Sequence, residues 1–301
     1  MSIPVNEPEC RTAFVAMGSD CEVCLAAASR HAIDEAAIAA IKEVIRIEEK
    51  YSRYRNDSVV AAINRNAGLD AVAIDTETAY LLNYMGTLFQ ASSGLFDATS
   101  GILRHAWNFK DCVIPTEEQL QRLLPLIGWQ HVDLNVGTVK LRLDGMELDF
   151  GGVGKEYAAD RAANILKERG ITSGFVNLGG DISVVGPRPD GTPWIFGIRH
   201  PRNPNETIAS VAATSGALAT SGDYERFFDL GGMRYCHILD PRTGHPVTAW
   251  RSISIIAPLA VAAGSYATIA MLKQGDALTW LEESDVAYIA MDQAGCVYSR
   301  P

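Results

Sequence analysis

Long apolar runs are missing from this chain: no stretch of about 18 uninterrupted apolar residues occurs, so nothing in it reads as a membrane-spanning helix. The opening residues, MSIPVNEPEC, carry neither a basic n-region nor an apolar h-region. The chain as given is therefore expected to be soluble and cytoplasmic, with earlier removal of a leader as the alternative. Basic runs are missing too, and the formal net charge is −10. That excludes sequence-independent nucleic-acid binding, which needs clustered Lys and Arg. Small molecules or other proteins are the expected partners. Cysteine is sparse, with six in 301 residues, too few for a disulfide framework and in keeping with reduced thiols. Cys21 and Cys24 invite a metal or redox reading. They lie in a strand-like run, where positions three apart face opposite sides, and no second pair at ligand spacing answers them.

What the chain does have is 48% hydrophobic residues, enough to bury a large core, and a set of glycine-bounded loops that carry charge. The most informative stretch is LDFGGVGKEYAADRAANILKER, from Leu148 to Arg169. Met146, Leu148 and Phe150 read as a short strand that delivers Asp149 to a Gly-Gly turn. The period then changes to that of an amphipathic helix closed by Gly170. Glycines at Gly151, Gly152 and Gly154 let backbone approach a ligand, and helix N–H groups beside Lys155 suit an anion such as phosphate. Taken alone, a plain strand-to-helix connection explains the same residues.

Along the rest of the chain, Arg11 to Met17 and Cys21 to Ala28 read as an opening hairpin. Asp34 is expected to cap a helix with Ile38, Ile41, Ile45 and Ile47 on its apolar face, and Asp57 or Ser58 a second one. At the junction between these helices, Tyr51, Arg53, Tyr54 and Arg55 suit stacking on a ring and bonding phosphate or carboxylate. Asp97, in SSGLFDATSG, suits a heterocycle edge or a helix cap. Thr116 to Gln119 is a capping box, and VDLNVGTVKLRL is a hairpin. Gly179-Gly180-Asp181 interrupts a β run, marking a bulge or a close backbone approach. His237, Asp240, Arg242 and Thr243 crowd a loop stiffened by Pro241 and Gly244, where proton transfer has the groups it needs. Strands and helices are intermixed without regular βαβ alternation, and no repeat or linker divides the chain, so an α+β fold is expected.

Six segments in order, YSRYRNDS, GLFDATSG, LDFGGVGKEYAADR, VNLGGDI, ATSGDYER and HILDPRTGHPV, resemble the FAD:protein FMN transferase family, the ApbE-like flavin transferases also called thiamine biosynthesis lipoproteins. The likeness runs from about Arg11 to the end. It implies one α+β domain over 11–301 after an N-terminal extension at 1–10, with two packed lobes binding FAD between them. A divalent metal, normally Mg²⁺, neutralises the pyrophosphate, and FMN passes to a Ser or Thr hydroxyl of an acceptor flavoprotein with release of AMP. Carried over by motif position, the FAD contacts are Met17, Tyr54 by stacking, Leu95, Phe96, Asp97, Asp149, Lys155 and Ile238. His237 and Asp240 are the acid/base and orientation candidates, in an order the sequence does not decide. Gly152, Ala267 and Thr268 take the metal positions. A FAD-storing or FAD-sensing protein with lost transfer, and a FAD pyrophosphatase, are the alternative readings.

One departure stands out. The family's late helix usually reads Ala-Asp-Ala-x-Ala-Thr, with the Asp and Thr on the metal, whereas here Ala263, Gly264, Ser265, Tyr266, Ala267 and Thr268 occupy those positions. Without the carboxylate the cation should be held weakly, and Gly264→Asp is expected to restore it. Glu156 and Asp181 are the acids near enough in sequence to substitute.

Overall fold

Two antiparallel strands, β1 (Glu9–Ala16) and β2 (Ser19–Ala26), open the fold in a computed structural model that describes residues 9–27 and 29–301. The expected extension at 1–10 lies mostly outside the described residues, as does Ala28. Met17 and Gly18 turn the hairpin with φ of 52° and 69°, the left-handed pair that a two-residue hairpin needs. Cys21 and Cys24 point into different cores from opposite faces of β2, which removes the metal reading of that pair.

Helix α1 (Arg30–Tyr51) begins at Arg30, four residues before the expected cap, with Ser29 at the N-cap position, and Asp34 instead pairs with Arg30 one turn back. Its buried face is Ile33, Ala36, Ala37, Ala40, Val44, Ile47 and Tyr51, while Ile38 and Ile45 point to solvent. Of the expected isoleucines Ile47 is in the core and Ile41 packs against it, but the helix is seated chiefly through its alanines. These lie in one core with Ala158, Ala159, Ala162 and Ala163 of α5 (Gly154–Glu168), where small side chains let the two backbones approach. Between these helices run α2 (Val59–Arg65), capped by Ser58, then β3 (Val72–Ala73), α3 (Thr76–Ala91), a 3-10 segment at Ala98–His105, α4 (Glu117–Leu123), and the hairpin β4 (Val132–Asn135) and β5 (Thr138–Leu141). The capping box at Thr116 and Gln119 forms as expected. The run from Met146 to Phe150 is extended but joins no sheet, so the expected strand before Gly151 is absent.

After α5 the chain adds β6 (Ser173–Leu178), β7 (Asp181–Gly186), β8 (Trp194–Arg199), β9 (Thr207–Ala213), β10 (Ala217–Gly222), β11 (Phe227–Leu230), β12 (Met233–Cys236) and β13 (Trp250–Ala257). Helices α6 (Ala260–Lys273) and α7 (Ala277–Glu283) and strands β14 (Ala287–Asp292) and β15 (Val297–Arg300) complete it. The main sheet has eight strands in the order β1-β2-β6-β7-β10-β13-β14-β15, each antiparallel to its neighbours. Gly179 and Gly180, with φ of 61° and 100°, turn the β6-β7 hairpin, so the expected bulge is a tight reversal. Alternation splits the sheet cleanly: Val23, Leu25 and Val176 face α1 and α5, while Cys24, Phe175 and Ile182 face the β8-β9 hairpin. A second helical core gathers Ile253, Ile255 and Ala219 under α6 and α7. This is an α+β fold built on antiparallel sheets.

Among the polar contacts that fix the helices to one another, two buried or half-buried carboxylates take the most partners. Glu77 of α3 accepts from Arg46 at 2.7 Å, Lys50 at 2.6 Å and Tyr157 at 2.9 Å, so it ties α3 to both α1 and α5. These partners hold its carboxyl well down, to about 2. A depressed carboxylate adds stability above its ordinary value of 4.5 and gives it up as pH falls toward its folded value. Melting temperature should therefore drop between pH 4.5 and about 2, and Glu77→Gln should flatten that limb in a calorimetric pH series. The second contact is Asp160 of α5. It is buried and accepts from the Ala260 and Val261 N–H groups at 2.9 and 3.0 Å, and from Ser183 Oγ at 3.0 Å. A carboxylate on one helix thus caps the start of another, and sets the register between α5 and α6.

Candidate active site

At the end of the sheet where β1 turns into β2, the glycine-bounded loops meet. Asp149 donates its N–H to the Ala98 carbonyl at 2.8 Å, and its carboxylate accepts from Arg53 and from the Gly151 N–H. A Cβ on Gly101 would lie 2.4 Å from Asp149 Cβ, so only glycine lets the segment after Asp97 come this close. One turn further, Gly152 packs against the Phe96 ring, 3.0 Å from where its Cβ would be. Tyr54 is exposed, with the Arg53 guanidinium 5.0 Å from its ring centre and 3.0 Å from its hydroxyl. Its partner Tyr51 does not reach solvent; it stacks on Phe150 at 4.8 Å and belongs to the core.

Lys155, in the first turn of α5, reaches Asp181 at 2.9 Å and lies 3.5 Å from where a Gly179 Cβ would stand. Asp181 and Glu156 raise its pKa against the lowering effect of burial. Gly18 faces Arg226, a residue the sequence reading passed over, whose carbonyl accepts the His237 N–H at 3.0 Å. His237 is open to solvent on one side. Crowding by protein on its other sides, with Arg226 and Lys155 nearby, lowers its pKa below the usual 6.5, so it is neutral at pH 7. Arg226 ends the connection between β10 and β11, and only the contact with Gly18 of the β1-β2 hairpin singles it out.

Not every expected residue faces the same space. Asp97 is buried and spends its oxygens on Thr99 N and Oγ1 and on Trp129 N, as a cap and loop brace. Asp240 is buried and bound to the Arg242 N–H and guanidinium, which hold its pKa below the ordinary carboxylate value against the effect of burial. Leu95, Phe96 and Ile238 are buried in the hydrophobic cores, Phe96 with α1 and α5 and the other two beneath α6. Met17, part-buried, donates its N–H to Glu48 at 2.7 Å.

Beside Lys155 lies an acidic pocket. Glu156 is 8% exposed, faces Asp181, and leaves its Oε2 with no hydrogen-bond partner. Burial, then Asp181, pushes its pKa up. Asp181 accepts from the Thr220 N–H at 3.4 Å, and the next residue, Ser221, shares a 2.8 Å hydrogen bond with Thr268 of α6. Ala267 turns its side chain into the apolar core. No group of three or more His, Cys, Asp and Glu side chains suited to a metal occurs among the described residues. Magnesium asks for less, normally one or two carboxylates completed by phosphate oxygens and water. Two facing carboxylates, one with a bare buried oxygen, are a donor set that fits it, with the Thr268 hydroxyl on the adjoining helix.

Fold and site together define an α+β protein with cationic groups, a neutral imidazole and an oxygen-rich cluster at one sheet end. The model of the ApbE family matches residues 17–290, and the chain belongs to that family. It is 33% identical over 253 residues to the FAD:protein FMN transferase of Treponema pallidum, covering 76% of this chain and 70% of that protein. It is 30% identical over 206 residues to the FAD:protein FMN transferase of Vibrio cholerae, covering 67% of this chain and 62% of that protein. The ApbE protein of Thermotoga maritima superposes with a TM-score of 0.91 at 29% identity, over 97% of each chain. Among the described residues, no helix is long and apolar enough to cross a membrane.

Proposed function

We propose that this chain transfers FMN from FAD to a Ser or Thr hydroxyl of an acceptor flavoprotein and releases AMP, in one catalytic unit spanning 11–301. The observation that carries the reading is the meeting of the Arg53-Asp149 pair, Phe96, Lys155, Arg226 and His237 at one end of the sheet, from loops far apart in sequence. The isoalloxazine ring stacks on Tyr54, whose exposed face is free to receive it. Met17, Leu95, Phe96 and Ile238 line the site, Asp97 braces its loop, and Asp149 orients Arg53. Lys155 supplies positive charge to the pyrophosphate.

His237, neutral and reachable from solvent, takes the proton of the acceptor hydroxyl as its oxygen attacks the FMN phosphorus. The bond to the AMP phosphate oxygen breaks, and AMP leaves. Asp240 shapes the loop that presents His237. Mg²⁺, held by Thr268 together with Gly152, Ala267 and the neighbouring carboxylates, would neutralise charge on the two phosphates.

Incubation with FAD, Mg²⁺ and a candidate acceptor domain should add the mass of FMN to the acceptor and liberate AMP in equal amount. Tight FAD binding with no AMP would favour storage or sensing, and AMP without acceptor labelling would favour a pyrophosphatase.

A further inference from the structure

On α5, Glu156 and Asp160 are one turn apart on the same face, and on α6 the matching row is Ala260, Gly264 and Thr268. Asp160 caps α6 at Ala260, which brings the next pair, Glu156 and Gly264, face to face. The fit is close. A Cβ on Gly264 would stand 2.5 Å from Glu156 Cγ and 2.6 Å from Oε1, so any side chain at 264 would displace Glu156. Thr268 is one turn beyond Gly264 and binds Ser221, whose neighbour Thr220 binds Asp181. Glu156 and Asp181 therefore face one another, and Thr268 follows one turn beyond Gly264 on the α6 row that meets Glu156. A buried carboxylate oxygen without a donor is costly. Glu156 Oε2 is in that position with Lys155 already committed to Asp181, which points to a cation as its missing partner.

We propose that Glu156 is the carboxylate that binds the divalent cation in this protein, with Asp181 and the Thr268 hydroxyl beside it, and that Gly264 is a glycine because the Glu156 side chain occupies its space. The acid is supplied by the first turn of α5 instead of by α6. This rests on the flavin-transfer reading for the presence of phosphate oxygens, and it changes the outcome expected for Gly264→Asp. That substitution alone crowds Glu156 and adds a third buried acid, so it should weaken the fold instead of restoring a ligand.

The test is titration calorimetry with Mn²⁺ on the full chain saturated with FAD, alongside FAD binding measured by flavin fluorescence. Glu156→Gln, nearly the same shape, should weaken Mn²⁺ binding at least about 30-fold with FAD affinity in metal-free buffer changed less than threefold. The exchange variant Glu156→Gly with Gly264→Asp should regain Mn²⁺ affinity to within about threefold of the parent. Mn²⁺ affinity unchanged in Glu156→Gln overturns the assignment, as does a folded, FAD-binding exchange variant that holds Mn²⁺ no better than Glu156→Gln. If the parent chain takes up no FAD, the flavin reading fails, while Mn²⁺ titration of the FAD-free parent and Glu156→Gln still decides the role of Glu156.

Discussion

His237→Gln should lower the rate of FMN transfer by about 10² to 10⁴ with FAD affinity held within about threefold, which single-turnover labelling of an acceptor domain and flavin fluorescence would separate. The imidazole sits where solvent, and hence an acceptor hydroxyl, can reach it, and its backbone is fixed by the Arg226 carbonyl. Crowding by the surrounding protein, and after it the charges of Arg226 and Lys155, keep it unprotonated below the pH at which a free histidine would titrate, so it is ready as a base. The sign follows: a lowered histidine pKa moves the acid limb of the transfer rate below 6.5, and the parent enzyme should keep most of its rate at pH 6. Asp240→Asn provides the contrast. Its carboxylate is taken up by Arg242, so its loss should loosen the loop and cost less than tenfold in rate, along with some stability. A rate loss in Asp240→Asn equal to that of His237→Gln would reverse the two roles.

Lys155→Met should cost about 3 kcal/mol of stability and lower the melting temperature by roughly 5 to 10 °C in EDTA. The lysine is the cation for Asp181, which is 3% exposed, and it stands beside Glu156, so its removal leaves two acids together without compensation. Part of that penalty is relieved by water, because the Lys155 side chain keeps 28% exposure; the figure is set at the low end of what breaking a buried pair costs for this reason. FAD affinity should fall by roughly 10- to 100-fold in the same variant, since the charge facing the phosphates is gone. Lys155→Arg keeps the charge and should retain most of the stability. Differential scanning calorimetry and flavin fluorescence on the two variants measure both quantities. A methionine variant as stable as the parent would mean that Asp181 is satisfied without Lys155.

The residues that set backbone direction were legible in the sequence, and those that set the phase of packing were not. The β1-β2 hairpin, the α5 helix up to Gly170 and the capping box at Thr116 follow from local chemistry, and local chemistry is what a sequence displays. The α1 face was misread because isoleucines weigh more than alanines on any apolar scale, whereas close approach to α5 selects for small size. Asp97 and Asp240 stand out in the sequence, but the same capping preference that marks an aspartate for a turn also satisfies it there. Arg226 closes the segment ATSGDYER but has no local feature that marks it out from the other arginines. The Gly264 departure was visible, but its explanation needed the meeting of two helices that lie about a hundred residues apart in the chain.

Leu95 and Phe96 are neighbours in sequence yet seal different interiors, Leu95 the one beneath α6 and Phe96 the one shared by α1 and α5. A single peptide bond therefore rivets two hydrophobic bodies at the rim of the proposed pocket. Loosening of either body would pull on that rivet and spoil the pocket before the rest of the chain came apart. Loss of the ligand signal during heating should thus coincide with, or run ahead of, the earliest melting of the molecule, and never lag behind it.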